Sequence, residues 1–204
     1  MSVWSPVIGQ DHAVADLQRA ASDAAKTVLG ERGDAMTHAW LFTGPPGSGR
    51  SVAALAFAAS LVCAQGGCGA CADCRDVASG LHPDVEHVVP EAVVYTTTDT
   101  DALVERAAMA QRRSPWHVIV IEDFDRFQLN AVPKLLKAIE EPPARTVWIL
   151  CAPTVEDVTE TIASRCRHVL LNTPSVAGIT DLLMQRFGVD RDLAEFAARA
   201  AQGH

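Results

Sequence analysis

The chain has 204 residues, 49% of them hydrophobic and 5% aromatic, with a formal net charge of −8. That length holds one large α/β domain and the start of a second. No apolar run approaches the ~20 residues of a membrane span, Met1-Ser2-Val3-Trp4-Ser5-Pro6 lacks a basic segment followed by an apolar one, and the acidic balance argues against nucleic-acid binding through a broadly basic surface, so a cytoplasmic protein is expected whose DNA contacts are local or supplied by partners.

Val7-Ile8-Gly9-Gln10 is followed by Asp11, the expected helix cap, and by an amphipathic stretch over residues 12–27. Residues 30–37 are a polar turn into a short apolar run, residues 38–43, that fits a buried strand. A Gly-rich turn at residues 44–51 and an Ala/Leu/Val/Phe helix at residues 51–63 come next. Beyond a cysteine cluster, Leu81-His82-Pro83-Asp84 leads to a strand at residues 85–89. Residues 91–97 fit a strand or a loop, and residues 99–111 predict a helix with Thr98 or Thr100 near its cap. Residues 116–121 are a nearly continuous β-branched run of the kind buried in parallel sheets. The pattern then predicts a helix at 129–141 stopped by Pro142-Pro143, a strand at 146–151, a helix at 155–165 and a strand at 167–171. This alternation implies an α/β fold of the phosphate-loop type, a mostly parallel sheet covered on both faces. Asn172-Thr173-Pro174 breaks the pattern, and two helical segments divided at Gly188 come after it. The expected division is therefore residues 1–173, with an insert at about 63–80, and residues 174–204 as the start of a helical second domain.

Gly44-Pro45-Pro46-Gly47-Ser48-Gly49-Arg50-Ser51 fits G-x-x-x-x-G-K-[ST] except at Arg50, which stands in the lysine slot. Between a strand and a helix, such glycines turn backbone N–H groups inward toward an anion, and the helix N-terminus adds partial positive charge. The alternative is an ordinary Pro/Gly turn. Lysine is a compact charge that reaches the β- and γ-phosphates, whereas arginine is a wide fork, and Lys26, Lys134 and Lys137 are the only lysines in the chain. Phosphate binding survives this exchange more readily than hydrolysis does.

The strand at 116–121 runs into Glu122-Asp123, where phosphate-loop ATPases carry Asp-Glu to hold Mg²⁺ and polarise water. The reversed order impairs both tasks, unless the carboxylates merely cap the following turn near Asp125. After the strand at 146–151, where active relatives place a polar γ-phosphate sensor, the chain offers Ala152-Pro153, with Thr154 the nearest hydroxyl. Ser164-Arg165-Cys166 ends its helix; Arg165 either favours the negative helix C-terminus or serves as an arginine finger for a neighbouring subunit.

Cys63, Cys68, Cys71 and Cys74 have the spacing C-x4-C-x2-C-x2-C, which lets four thiolates close a tetrahedral shell. A structural zinc is the expected occupant, with an iron–sulfur cluster or free thiols as alternatives. Cys151 and Cys166 lie outside the cluster and read as small buried residues.

Together these segments, with Lys134-Leu135-Leu136-Lys137-Ala138-Ile139-Glu140-Glu141-Pro142-Pro143 and Cys74-Arg75 before His82-Pro83-Asp84, resemble the clamp-loader ATPases of bacterial replication over residues 1 to about 174. The resemblance implies an AAA+ fold, a zinc-binding insert, a helical lid from about Pro174 and a third, collar domain lying outside these residues. It also implies assembly with clamp-loader subunits of the gamma/tau and delta kinds into a hetero-pentamer, part of the DNA polymerase III holoenzyme, that places a sliding clamp on primed DNA. Gly9 and Gln10 match the family's adenine-side box, and with Gly44, Gly47, Gly49, Arg50, Ser51, Glu122 and Asp123 they keep ATP or ADP, with Mg²⁺, as candidate ligands. The departures at Arg50, Glu122-Asp123 and Ala152-Pro153 separate the chain from the family's motor subunits. They imply a stator with weak or absent hydrolysis that supplies Arg165 in trans; the alternatives are an active AAA+ ATPase of the gamma/tau kind and a zinc-stabilised scaffold outside clamp loading.

Overall fold

Five short segments pair into one sheet: the three central ones are buried on both faces and can satisfy their backbones only by pairing with neighbours, and two partly exposed edge strands flank them. In the computed structural model, which describes residues 2–90, 94–128 and 130–201, these are β1 (Ala39–Thr43), β2 (Val85–Val88), β3 (His117–Ile121), β4 (Thr146–Ala152) and β5 (Arg167–Leu170). The order is β2-β3-β4-β1-β5 and every pair is parallel, with Leu41 opposite Leu150 and Ile119 opposite Trp148.

Alternation along the strands divides the core in two. Trp40, Phe42, Val118, Val120 and Ile149 face α1 (Asp11–Val28) and α2 (Arg50–Val62), where Phe57 meets Trp40 edge-on at 5.0 Å between ring centroids. The alanines of α2 let it lie close to the sheet, and Ala53, Ala54 and Ala58 have no exposed surface. Leu41, Ile119, Ile121, Trp148 and Leu150 face α4 (Thr97–Ala107) and α5 (Val132–Glu140) through Leu103, Ala107, Leu135 and Ile139. Truncating one of these fully buried leucines to alanine costs about 2–5 kcal/mol. The short α3 (Ala72–Ala78) belongs to the cysteine insert, and α7 (Val176–Phe187) packs on α8 (Arg191–Ala201) beyond the sheet.

Local departures from the sequence pattern have identifiable causes. Asp11 is the first helical residue and not the cap; Gln10 holds the cap position and directs its side chain elsewhere. Helix α4 is capped by Thr96, not Thr98 or Thr100, through a reciprocal capping box with Asp99. The helix expected at 155–165 is one turn, α6 (Glu160–Ala163), because the Asp157 carboxylate accepts from both the N–H and the hydroxyl of Thr154 and holds that segment in a turn. Helix α5 starts at Val132, Leu129 lies outside the described residues, and so do residues 91–93 of the segment that fits a strand or a loop; Tyr95 makes a single bridge to Phe127.

Asp84 ties the insert to the sheet. Its buried carboxylate accepts from three successive backbone N–H groups, those of Arg112 (2.5 Å), Arg113 (2.7 Å) and Ser114 (2.7 Å). Arg113 in turn reaches Asp73 (2.9 Å) and Asp76 (2.7 Å) on α3. Burial alone would raise the Asp84 pKa, but the three N–H donors hold it below its ordinary 3.8. A carboxyl depressed in this way contributes stability that is fully present above its unfolded pKa and is lost as pH falls through the lower folded value. Asp84→Asn, which points an amide N–H₂ at a nest of donors, should cost about 2–3 kcal/mol at pH 7 in urea unfolding, and that disadvantage should shrink progressively as pH falls below ~3.8 toward the lower folded value.

Candidate functional site

Where β1 ends, the chain turns through residues 44–49 and enters α2 at Arg50. Gly47 and Gly49 have φ of +82° and +83°, the left-handed region that side chains resist. A Cβ on Gly44 would lie 2.3 Å from the Leu171 carbonyl and 2.6 Å from Ser48 Oγ, so the loop can pass the end of β5 only as glycine. The loop, Arg50, Ser51, Glu122, Asp123 and Arg126 line a cavity of about 540 Å³. The structure brings the Gly-rich loop and the two acidic residues around one cavity, and adds Arg126 to its lining. That arginine stands three residues after Asp123 in a 3₁₀ turn and pairs with it at 3.3 Å, an i,i+3 spacing that was legible in the sequence.

Inside the cradle the departures from the phosphate-loop pattern have physical consequences. The Arg50 guanidinium folds back and donates to the carbonyl of Gly44 in its own loop. Ser51 Oγ donates to Glu122 Oε2 at 2.5 Å, and Glu122 Oε1 lies 2.9 Å from His87 Nε2. Burial favours the neutral acid, yet the His87 and Ser51 bonds and the Arg50 charge hold the Glu122 pKa below its usual range. Charge-assisted bonds of this kind contribute about 1.5–3 kcal/mol each. Asp123 sits at φ +46° and turns toward Arg126. Ser51 and His87 thus each hold one oxygen of the Glu122 carboxylate at the end of the cradle.

The third departure is equally concrete. Ala152 is fully buried, the Pro153 carbonyl accepts the Gly44 N–H at 3.0 Å, and the Thr154 hydroxyl is committed to Asp157 at 2.9 Å. Gly9 has φ +70° and lies against Pro174, while Gln10 Nε2 donates to Asn172 O (2.5 Å) and Ser48 O (3.2 Å) and its Oε1 accepts the Asn172 N–H (3.1 Å).

Arg165 lies outside this cavity, next to the Lys134–Pro143 segment. Its Nε meets Glu140 Oε1 at 2.6 Å, its Nη1 donates to Thr161 O at 2.7 Å, and its side chain is 40% exposed. An exposed pair of this kind is worth about 0–1 kcal/mol, so the guanidinium is held loosely.

The four Sγ atoms of Cys63, Cys68, Cys71 and Cys74 lie within 4.8 Å of one another. Cys63 Sγ is 3.8 Å from Cys68 Sγ and 3.6 Å from Cys71 Sγ, against an edge of roughly 3.8 Å for a tetrahedron of 2.3 Å zinc–thiolate bonds. The N–H groups of Gln65, Gly69, Ala70, Cys71 and Cys74 point at these sulfurs at 3.3–3.5 Å. For Cys63 burial opposes ionisation, but neighbouring N–H donors prevail and bring its pKa down to about 6. The cluster is therefore compatible with zinc, and Cys151, buried in β4, takes no part.

A five-stranded parallel sheet with β1 between β4 and β5, a Gly-rich loop at the end of β1 and an acidic end on β3 define an AAA+ type of phosphate-loop fold. Solved structures agree at the level of fold. The Thermotoga maritima RuvB Holliday junction branch migration motor is similar over 96% of this chain and 58% of its own, at 21% identity and TM-score 0.59. A DNA polymerase III gamma subunit-related protein of the same organism is similar over 80% of this chain and 52% of its own, at 19% identity and TM-score 0.54.

By sequence the chain belongs to the DNA polymerase III, delta subunit family, whose model matches residues 18–175. Relatives include DNA polymerase III subunit delta' of Bacillus subtilis, 32% identical over 75% of this chain and 47% of the relative. Subunit gamma/tau of Mycobacterium tuberculosis is 32% identical over 81% of this chain and 28% of the relative. The chain thus lies within the clamp-loader subunits of DNA polymerase III and spans about half or less of the length of these relatives.

Gln10 is the side chain joining the cradle to the strand exit at Asn172. Gln10→Ala strands the buried Ser48 carbonyl and the partly buried N–H and carbonyl of Asn172, and should cost about 2 kcal/mol, read as a fall in melting temperature of about 4–8 °C.

Proposed function

We propose that the chain is the delta-prime-type stator of the DNA polymerase III clamp loader, a subunit that does not turn over ATP rapidly itself. In this reading it sits in a hetero-pentamer with gamma/tau and delta subunits and helps place the sliding clamp on primed DNA. Arg165 then serves as a finger whose delocalised charge stabilises phosphoryl transfer at a neighbour's ATP site. The observation that carries the reading is a contrast between two arginines. Arg50 is turned onto the Gly44 carbonyl of its own loop, whereas Arg165 is exposed, outside the cavity, and rests on the surface carboxylate of Glu140 and the Thr161 carbonyl. The delta' relative of Bacillus subtilis supports the same assignment.

In the reconstituted loader Arg165→Ala should lower DNA-stimulated ATPase by about 10²-fold or more, while the isolated chain shows negligible turnover with either residue. Motor-like turnover by the isolated chain would overturn the stator assignment. The equal identity to gamma/tau subunits supports a second reading, an active AAA+ ATPase in which Arg50 performs the lysine's task. There Arg50→Ala abolishes turnover by the isolated chain and Arg50→Lys keeps or raises it.

Zinc held by Cys63, Cys68, Cys71 and Cys74 would be structural, since four thiolates leave no open position. It would fix α3, which carries the Asp73 and Asp76 partners of Arg113. Metal analysis of purified protein should give one zinc per chain, and Cys74→Ser should reduce that content and lower the melting temperature.

A further inference from the structure

In phosphate-loop sites the serine hydroxyl and the strand-end carboxylate face a divalent cation. Here they face each other. Ser51 Oγ is spent on Glu122 Oε2, and Glu122 is prevented from swinging away because His87 holds the other oxygen at 2.9 Å. His87 arrives there by register: β2 lies beside β3 with Val88 opposite Ile121, which sets the imidazole of the penultimate β2 residue next to the residue just after β3. A cation would have to compete with the Ser51 proton and the His87 imidazole for the two Glu122 oxygens. The cradle is otherwise built for an anion. Its loop keeps glycine at the left-handed positions 47 and 49, the Ser48 hydroxyl is buried without a hydrogen-bond partner, and Arg50 and Arg126 are the cationic side chains lining the cavity.

We propose that this cradle takes the phosphates of a nucleoside diphosphate without a divalent cation, and that His87 is the positioning residue that keeps the cation's seat closed. Arg50 and Arg126, on leaving the Gly44 carbonyl and Asp123, join the loop N–H groups in meeting the charge a metal supplies elsewhere. This rests on the phosphate-loop reading of the cradle and is independent of ring assembly.

The test is calorimetric titration of the whole chain with ADP, once in EDTA and once in excess Mg²⁺. The wild type should bind ADP with a Kd that differs by less than about twofold between the two conditions. His87→Ala frees Glu122 and should make Mg²⁺ strengthen ADP binding by about tenfold or more, and His87→Gln, which can still donate to the carboxylate, should restore indifference to the metal. His87 is partly exposed, so neither variant removes a core side chain. Failure of the wild type to bind ADP in EDTA overturns the proposal, as does a tenfold gain from Mg²⁺ in the wild type. A His87→Ala chain still indifferent to Mg²⁺ overturns the role of His87. Each of these results leaves the Arg165 experiment standing, and an inert Arg165→Ala in the assembled loader leaves this one standing.

Discussion

A parallel strand buried on both faces can present polar chemistry only where it ends, and the architecture here is a consequence of that constraint. β1, β3 and β4 have every residue buried, so their side chains are committed to the two cores. Thr43, Ile121 and Ala152 all lie at the carboxyl ends, and the Gly-rich loop, Glu122-Asp123 and Ala152-Pro153 are therefore set along one edge of the sheet. Loop residues there are held by the rigid ends of strands, not by their own packing. That is why residues as far apart in the chain as Ser51 and Glu122 meet at 2.5 Å.

Within that edge, electrostatics decides which groups stay free. Glu122 is drawn inward and keeps its charge despite burial, because hydroxyl, imidazole and guanidinium all favour the anion. Asp123, one residue on, is pulled the other way by Arg126. Two adjacent carboxylates are thereby turned to different partners. Reversing Asp-Glu to Glu-Asp is more than a change of side-chain length, since the longer acid at the inner position reaches Ser51 directly.

Much of this is legible in the sequence because the signals are strong and local. Continuous apolar runs such as His117–Ile121 admit little but a buried strand, and the glycine spacing at 44, 47 and 49 fixes the turn. The cysteine spacing does bring four sulfurs together. The features that escape depend on contacts that no linear pattern encodes. His87 becomes a site residue only through the β2–β3 register, and Gln10, which by sequence matches a nucleotide-contact box, spends its side chain on Ser48 and Asn172. The overlong helix at 155–165 fails for a related reason: an apolar periodicity is overridden by the Thr154–Asp157 turn, a side-chain competition for backbone that periodicity does not register.

Gln10 and Gly44 together show how the cradle is joined to the helices beyond the sheet. Gln10 bridges the loop carbonyl of Ser48 to both backbone groups of Asn172, and Gly44 lies so close to the Leu171 carbonyl that no Cβ fits between them. Leu171 and Asn172 stand just past β5, where the chain leaves the sheet for α7. The loop and the start of that exit are therefore one mechanical unit. Displacing the loop backbone strains the Gln10 hydrogen bonds or alters the close approach of Gly44 to Leu171. Turning Arg50 or the Ser48 hydroxyl leaves this unit intact, whereas displacement of the loop backbone has to carry the entry to α7 with it.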